Sequence, residues 1–164
     1  MHDKETDHNG GPAIQDQYEE GFQVCFGCGA QNERGLQIKS RRADGGVRAE
    51  FRPVPAYQAI PGVVYGGLIA SLIDCHGIAT GAAHFQDRDG LDRPPRCVTG
   101  SLHVDYRKPT PMPAGPGDPP LVLEGRVVEA SERKAVVDVT LSVNGEITAE
   151  GRVVGVRLAH GKGG

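Results

Sequence analysis

Gly66-Gly67-Leu68-Ile69-Ala70-Ser71-Leu72-Ile73-Asp74-Cys75-His76-Gly77-Ile78-Ala79-Thr80-Gly81-Ala82-Ala83-His84 is the stretch that decides the fold. It contains no proline and, apart from the histidines, one charge. Leu68, Leu72, Cys75, Ala79 and Ala82 recur at helical spacing, and Ile69, Ile73 and Ile78 widen the apolar surface nearly all round. A helix with no polar side has no face to give to water. The spacing therefore predicts a helix over 66–84 that is buried rather than laid on a surface.

Strand signals dominate on both sides of it. Leu36 to Ser40 and Val47 to Phe51 alternate apolar and polar residues around Asp44-Gly45-Gly46, which reads as a hairpin. Val98 to Arg107 alternates as well, with Val98, Leu102, Val104 and Tyr106 on one face and Thr99, Ser101, His103, Asp105 and Arg107 on the other. After the proline-rich stretch 109–120 come Leu121 to Glu129, a turn at Ser131-Glu132-Arg133, and the alternating run Ala135 to Val143. Asn144-Gly145, a strong two-residue hairpin turn, leads into Ile147 to Leu158. Tight turns between late strands imply an antiparallel meander. One buried helix among six such segments predicts an α+β domain, an antiparallel sheet of five to six strands wrapped around one long central helix. The domain is expected over 21–160, after a disordered leader at 1–20 and before a loose tail at 161–164. The stretch from Phe85 to Pro95 reads as a long connection.

Composition narrows the function. The 164 residues carry 18 Lys and Arg against 21 Asp and Glu, a formal net charge of −3. That balance gives no grip on a phosphate backbone, so nucleic acid is disfavoured. The longest mostly apolar run, Gly62 to Ile73, is short of the roughly 20 residues of a membrane span. The polar, acidic N-terminus does not read as a signal peptide. The expected location is cytoplasmic, with Cys25, Cys28, Cys75 and Cys97 as reduced thiols.

Within the helix, Gly67, Ala70, Asp74, Gly77 and Gly81 fall along one face. Four are tiny and the fifth is a carboxylate. Two readings stand open for this stripe: close packing, or a narrow dry slot in which desolvation makes Asp74 more basic. Turnover would then rise with pH as Asp74 ionises. At the helix start, Gly66-Gly67 presents free N–H groups at the positive end of the helix dipole, a place for a carbonyl oxygen turning negative.

Gly62-Val63-Val64-Tyr65-Gly66-Gly67-Leu68-Ile69-Ala70-Ser71-Leu72-Ile73-Asp74 resembles the helix motif of hotdog-fold acyl-CoA thioesterases of the phenylacetate-degradation type. Cys25-Phe26-Gly27-Cys28-Gly29, with Asn32, Gly35 and Leu36, resembles the opening segment of many members. Val98-Thr99 through Val104 to Pro111 resembles the family's strand after the helix. The resemblance runs over residues 22–158. It implies hydrolysis of an acyl-CoA thioester, with coenzyme A entering as part of the substrate and no separate cofactor. It implies that Asp74 is the nucleophile or general base, that the Gly66 N–H polarises the thioester carbonyl, and that Thr99 holds the water or the carboxylate. It also implies a homo-oligomer, a dimer or dimer of dimers, whose sites are shared between subunits. Tyr65 departs from the family's usual histidine. Ala59 falls near a position where some relatives carry a polar residue, and Gln58 is its nearest substitute. Tyr65, Gly67 and Gln58 are thus expected at the substrate.

The remaining polar residues have competing readings. Arg107 and Lys108 are candidates for the phosphates of coenzyme A, or else a solvated strand end. Cys25-x-x-Cys28 is one ligand pair where structural zinc usually uses two, with Cys75, His76 or Cys97 as possible completions, so no metal is expected. His76 lies about 200° round the helix from Asp74, which argues against a dyad and for a core histidine. His103 and Asp105 read as a solvated or intersubunit surface. Two other classes of function remain beside hydrolysis: hydration or dehydration at an enoyl-CoA, which couples an Asp to a nearby His, and acyl-CoA binding without catalysis.

Overall fold

The computed structural model describes residues 11–159. In chain order the strands are β1 (Ser40–Ala43), β2 (Gly46–Phe51), β3 (Gln58–Ile60) and β4 (Val63–Val64); then come the helix α1 (Gly66–Asp89) and the strands β5 (Cys97–Tyr106), β6 (Leu121–Ala130), β7 (Lys134–Val143) and β8 (Glu146–Arg157). Six strands form one antiparallel sheet in the order β1-β2-β6-β7-β8-β5, and β3 pairs with β4 apart from it. The inner face of the sheet, with Leu121, Leu123, Val137, Val139, Leu141, Ala149 and Val153 all buried, closes on Leu68, Leu72, Ile73, Ile78 and Ala82 of α1. This is the expected α+β arrangement of a sheet curled round a helix. Among the described residues no helix is long and apolar enough to cross a membrane.

The two tight turns are where the sequence places them. Asn144 and Gly145 both take positive φ between β7 and β8, and Gly45 does so between β1 and β2. The first strand, however, begins at Ser40 and not at Leu36. Gln37 has φ 58°, which interrupts an extended run, and its amide donates to the Gly29 and Asn32 carbonyls at 2.7 and 2.6 Å. The N–H groups of Leu36 and Ile38 bond to Phe26 and Gly27. Residues 36–38 thus belong to the preceding loop.

The helix also outruns its expected end at His84. Phe85 is fully buried, with the guanidinium of Arg88 4.9 Å from its ring centre, and Gly90 closes the helix in the left-handed conformation. The residues read as a long connection are therefore one more helical turn, followed by a loop at 90–96.

Residues 11–20 correct the expectation of a disordered leader; residues 1–10 and the tail at 161–164 lie outside the described residues. Ala13, Ile14, Gln15 and Tyr18 are all buried. The Ile14 N–H donates to the Ser40 carbonyl at 2.8 Å. Gln15 accepts from the Ser40 N–H and donates to the Ser40 hydroxyl, both at 2.8 Å. Replacing Ile14 by Ala should lower unfolding free energy by about 2–5 kcal/mol, the usual cost of truncating a buried Ile. A denaturant titration with an unchanged midpoint would return this segment to the status of a leader.

That anchoring continues into α1 through His76, which is also fully buried. Its Nε2 lies 3.1 Å from the Val47 carbonyl, which can only accept, so Nε2 carries the proton. Nδ1 then accepts from the Ser40 hydroxyl at 2.8 Å. Burial holds the imidazole neutral, with its pKa lowered to about 4, against the weaker pull of the Val47 carbonyl. The unfolded chain takes up a proton near pH 6.5, whereas the folded chain resists until about 4. Stability from His76 is thus complete above pH 6.5 and is lost as pH falls toward 4, by about 3 kcal/mol in all. Urea titrations of chelator-treated, reduced protein should show uptake of about one proton on unfolding between pH 6 and 5. A flat stability profile across that interval contradicts the assignment.

Candidate active site

Asp74 sits just over two turns into α1, half-buried, and its Oδ1 accepts a 2.7 Å hydrogen bond from the Thr99 hydroxyl. Desolvation pushes its carboxyl upward from the ordinary value, and the Thr99 bond works in the opposite direction. The sequence pairs these two residues only through resemblance; the fold brings them into contact.

A bulge in β5 makes that contact. Cys97, Val98 and Thr99 pair with Arg157, Val156 and Gly155, but the next pair is Ser101 with Val154. Gly100 is the extra residue. Directly paired residues in an antiparallel sheet point to the same face, and one inserted residue reverses the alternation. A side chain at Gly155 would meet Ile78, and one at Gly151 would meet Ile73, so both positions face the helix. Thr99, paired with Gly155, and Val104, paired with Gly151, therefore share the helix side, together with Leu102 and Tyr106. The strict alternation expected from sequence put Thr99 on the opposite face and Val98 on this one. The bulge position is tight: a Cβ there would lie 3.0 Å from the Val156 side chain and 3.3 Å from the Val154 carbonyl, so a larger residue requires Val156 to give by a few tenths of an ångström.

The small-residue stripe divides into two parts. Its second half is packing: a Cβ at Gly77 would lie 2.5 Å from Val153, and one at Gly81 would touch Ala135 and Val137. Its first half, Gly67, Ala70 and Asp74, stays part-exposed.

At the helix start, Tyr65 is the residue just before the first turn, with φ −60° and ψ 129°, and no side chain caps the N–H groups there. The first N–H groups of a helix have no partner within it. The exposed Tyr65 ring folds back over Gly67, where a Cβ would lie 2.5 Å from it. The Tyr106 hydroxyl donates to the Gly66 carbonyl at 2.7 Å. Two phenols thus flank the Gly66 and Gly67 amides. The sequence marks Tyr106 only as an apolar strand residue on the face of Leu102 and Val104, and its pairing with Ala149 keeps it on that helix side.

The other candidates lie elsewhere. Gln58 donates to the Pro55 carbonyl at 2.8 Å and accepts from the Gly62 N–H at 2.7 Å, so its amide braces the loop before the helix. Arg107 is paired with Glu150 at 2.7 Å, and Lys108 with Glu146. His103 and Asp105 form an exposed pair at 3.2 Å. They join Arg48, Glu124, Asp138 and Arg152 around a hollow of about 620 Å³ on the outer face of the sheet, which includes neither Asp74 nor Gly66. His76 is bonded to Ser40 and Val47, so its imidazole is not free to couple with Asp74.

One long helix wrapped by a six-stranded antiparallel sheet, with a carboxylate in the helix, defines a hotdog thioesterase architecture. The family model described as the thioesterase superfamily matches residues 61–150, from the helix start to β8. A thioesterase superfamily protein of Shewanella loihica is 38% identical over 86% of this chain and 99% of its own, with a TM-score of 0.64. This chain belongs to the thioesterase superfamily. Two further solved structures are similar in fold. The phenylacetic acid degradation-related protein of Ralstonia eutropha is 18% identical, with a TM-score of 0.60 over 74% of this chain and 85% of its own. A hypothetical thioesterase from Streptococcus pneumoniae, solved with coenzyme A, is 17% identical, with a TM-score of 0.59 over 75% and 90%. No functionally curated protein matches at a significant level.

Proposed function

We propose that this protein hydrolyses acyl-CoA thioesters to a free acid and coenzyme A. The observation that carries the reading is the Asp74–Thr99 pair, a half-buried carboxylate held by a hydroxyl on the open part of α1. Thr99 spends its single proton on Asp74, and its oxygen lone pairs remain able to accept from a water beside the carboxylate. Asp74 then acts either on that water as a general base or on the thioester carbon directly. The carbonyl oxygen, as it becomes negative, needs N–H donors, and Gly66 offers one without a side chain in the way. Coenzyme A bound to a relative of the same fold agrees with this substrate class.

Gly66 and Asp74 of one chain are eight residues apart, a rise of about 12 Å along the helix. One carbonyl group cannot meet both. The proposal therefore takes the Gly66 amide from a second copy, in a dimer or dimer of dimers. The β5 edge is consistent with that: it is the free edge of the sheet beside β8, and Val98, Leu102 and Tyr106 are exposed along it. An acyl-CoA panel with colorimetric detection of released thiol tests the activity. Turnover of at least one acyl-CoA is expected, whereas tight binding of acyl-CoA with no thiol released would make the protein a binding module.

A further inference from the structure

Three cysteines that stand far apart in the sequence meet beside the catalytic helix. The sulfurs of Cys25, Cys28 and Cys75 all lie within 4.8 Å of one another, with Cys25 and Cys75 at 3.9 Å. In a tetrahedral zinc–thiolate site, with Zn–S near 2.3 Å, sulfurs sit about 3.8 Å apart. An ion therefore fits if the widest pair draws in by about an ångström. The sequence offered one Cys pair and no metal was expected; the fold supplies a third thiol from α1. Neither of the other candidates joins them. His76 is committed to Ser40 and Val47, and Cys97 lies outside the cluster.

The loop is shaped for this. Gly29 N–H closes onto the Cys25 carbonyl at 2.8 Å. A Cβ at Gly27 would stand 2.3 Å from the Cys75 sulfur, so the glycine between the two loop cysteines is what admits the helix thiol. A Cβ at Gly29 would strike the backbone of Cys25 and Gln23 at 2.5 Å. The Gln37 amide clamps the far side of the loop through the Gly29 and Asn32 carbonyls. The three sulfurs are thus held together by backbone that has little freedom to separate them, and assembling the site requires little ordering.

We propose that Cys25, Cys28 and Cys75 form a three-thiolate site for one zinc ion, joining the 25–29 loop to α1 one residue after Asp74. Zinc suits the donor set as a borderline-soft divalent cation that takes thiolates tetrahedrally. Among the described residues no fourth protein donor sits in the cluster, so the fourth position falls to a water or a small ligand from solution. Binding releases the thiol protons to solvent. The site does not depend on the thioesterase reading.

The test uses the full chain, stripped with a chelator under a phosphine reductant and titrated with Zn²⁺ against a chromophoric chelator. One ion per chain is expected, and Co²⁺ in its place should give a thiolate-to-metal charge-transfer band in the near ultraviolet. Cys28→Ser and Cys75→Ala should each weaken zinc binding by at least about 100-fold, while Cys97→Ser leaves it unchanged. If the Cys28 variant does not fold, Cys25→Ser, at a part-exposed position, supplies the same reading. Zinc below one-tenth per chain, a missing cobalt band, or affinity indifferent to the loop and helix cysteines would overturn the site and leave three packed thiols.

Discussion

Asp74→Asn is expected to lower acyl-CoA turnover by roughly 10³–10⁴-fold while leaving the fold and coenzyme A binding intact. Asparagine has nearly the same shape as aspartate, and its side-chain oxygen still accepts from the Thr99 hydroxyl, the one hydrogen bond the structure gives this carboxylate. It has no lone pair basic enough to take a proton from water and no anionic oxygen to attack a carbonyl carbon. Burial already disfavours the charge on Asp74, so a neutral replacement should not destabilise the native state. Initial rates on the best acyl-CoA found in the panel, with circular dichroism as the folding control, decide the matter. A variant with wild-type turnover would remove Asp74 from the mechanism.

Gly66→Pro should cost about 10²–10³ in turnover, the usual effect of losing one oxyanion donor. Gly66 is the first residue of α1, a position where proline is tolerated because that N–H has no helical partner. Tyr65 before it already has the extended ψ of 129° that a following proline requires. The substitution thus removes one N–H and keeps the helix. Gly66→Ala is the control, since its Cβ would make ordinary contact with the Tyr106 ring at 3.5 Å and the N–H would remain. If sites are shared, mixing inactive Asp74→Asn and Gly66→Pro chains should restore about a quarter of wild-type activity. Half of the dimers are then mixed, and each mixed dimer holds one site with both groups native. Sites confined to single chains would show no recovery, because every site then carries one of the two defects.

Local patterns were enough for much of this molecule. The apolar run from Leu68 to Ala83 can only be a buried helix, because no polar side is left to face water. The alternation in 135–143 and the Asn144-Gly145 turn determine β7 and β8 from dihedral preference and side-chain period alone. Asp74 stood out for the same reason, as one carboxylate among small and apolar neighbours.

Where partners lie far apart along the chain, that kind of reading failed. Gln15 is buried because Ser40 satisfies both ends of its amide, and nothing between residues 11 and 20 announces it. Phe85 extends the helix because the finished core has a place for its ring. Cys75 looked like one more apolar helix position until the fold set it against Cys25 and Cys28.

Thr99 makes the division plainest. The sequence by itself determined a helix carrying a carboxylate and a strand carrying a hydroxyl, each from the period of its own residues. Whether the two would meet was decided only in the tertiary structure, by pairing with β8. That pairing pushes Gly100 out of register and turns Thr99 to the helix side. An alternating pattern shows the period of a strand, but its phase past a bulge is set by the neighbouring strand, which lies some fifty residues further along the chain.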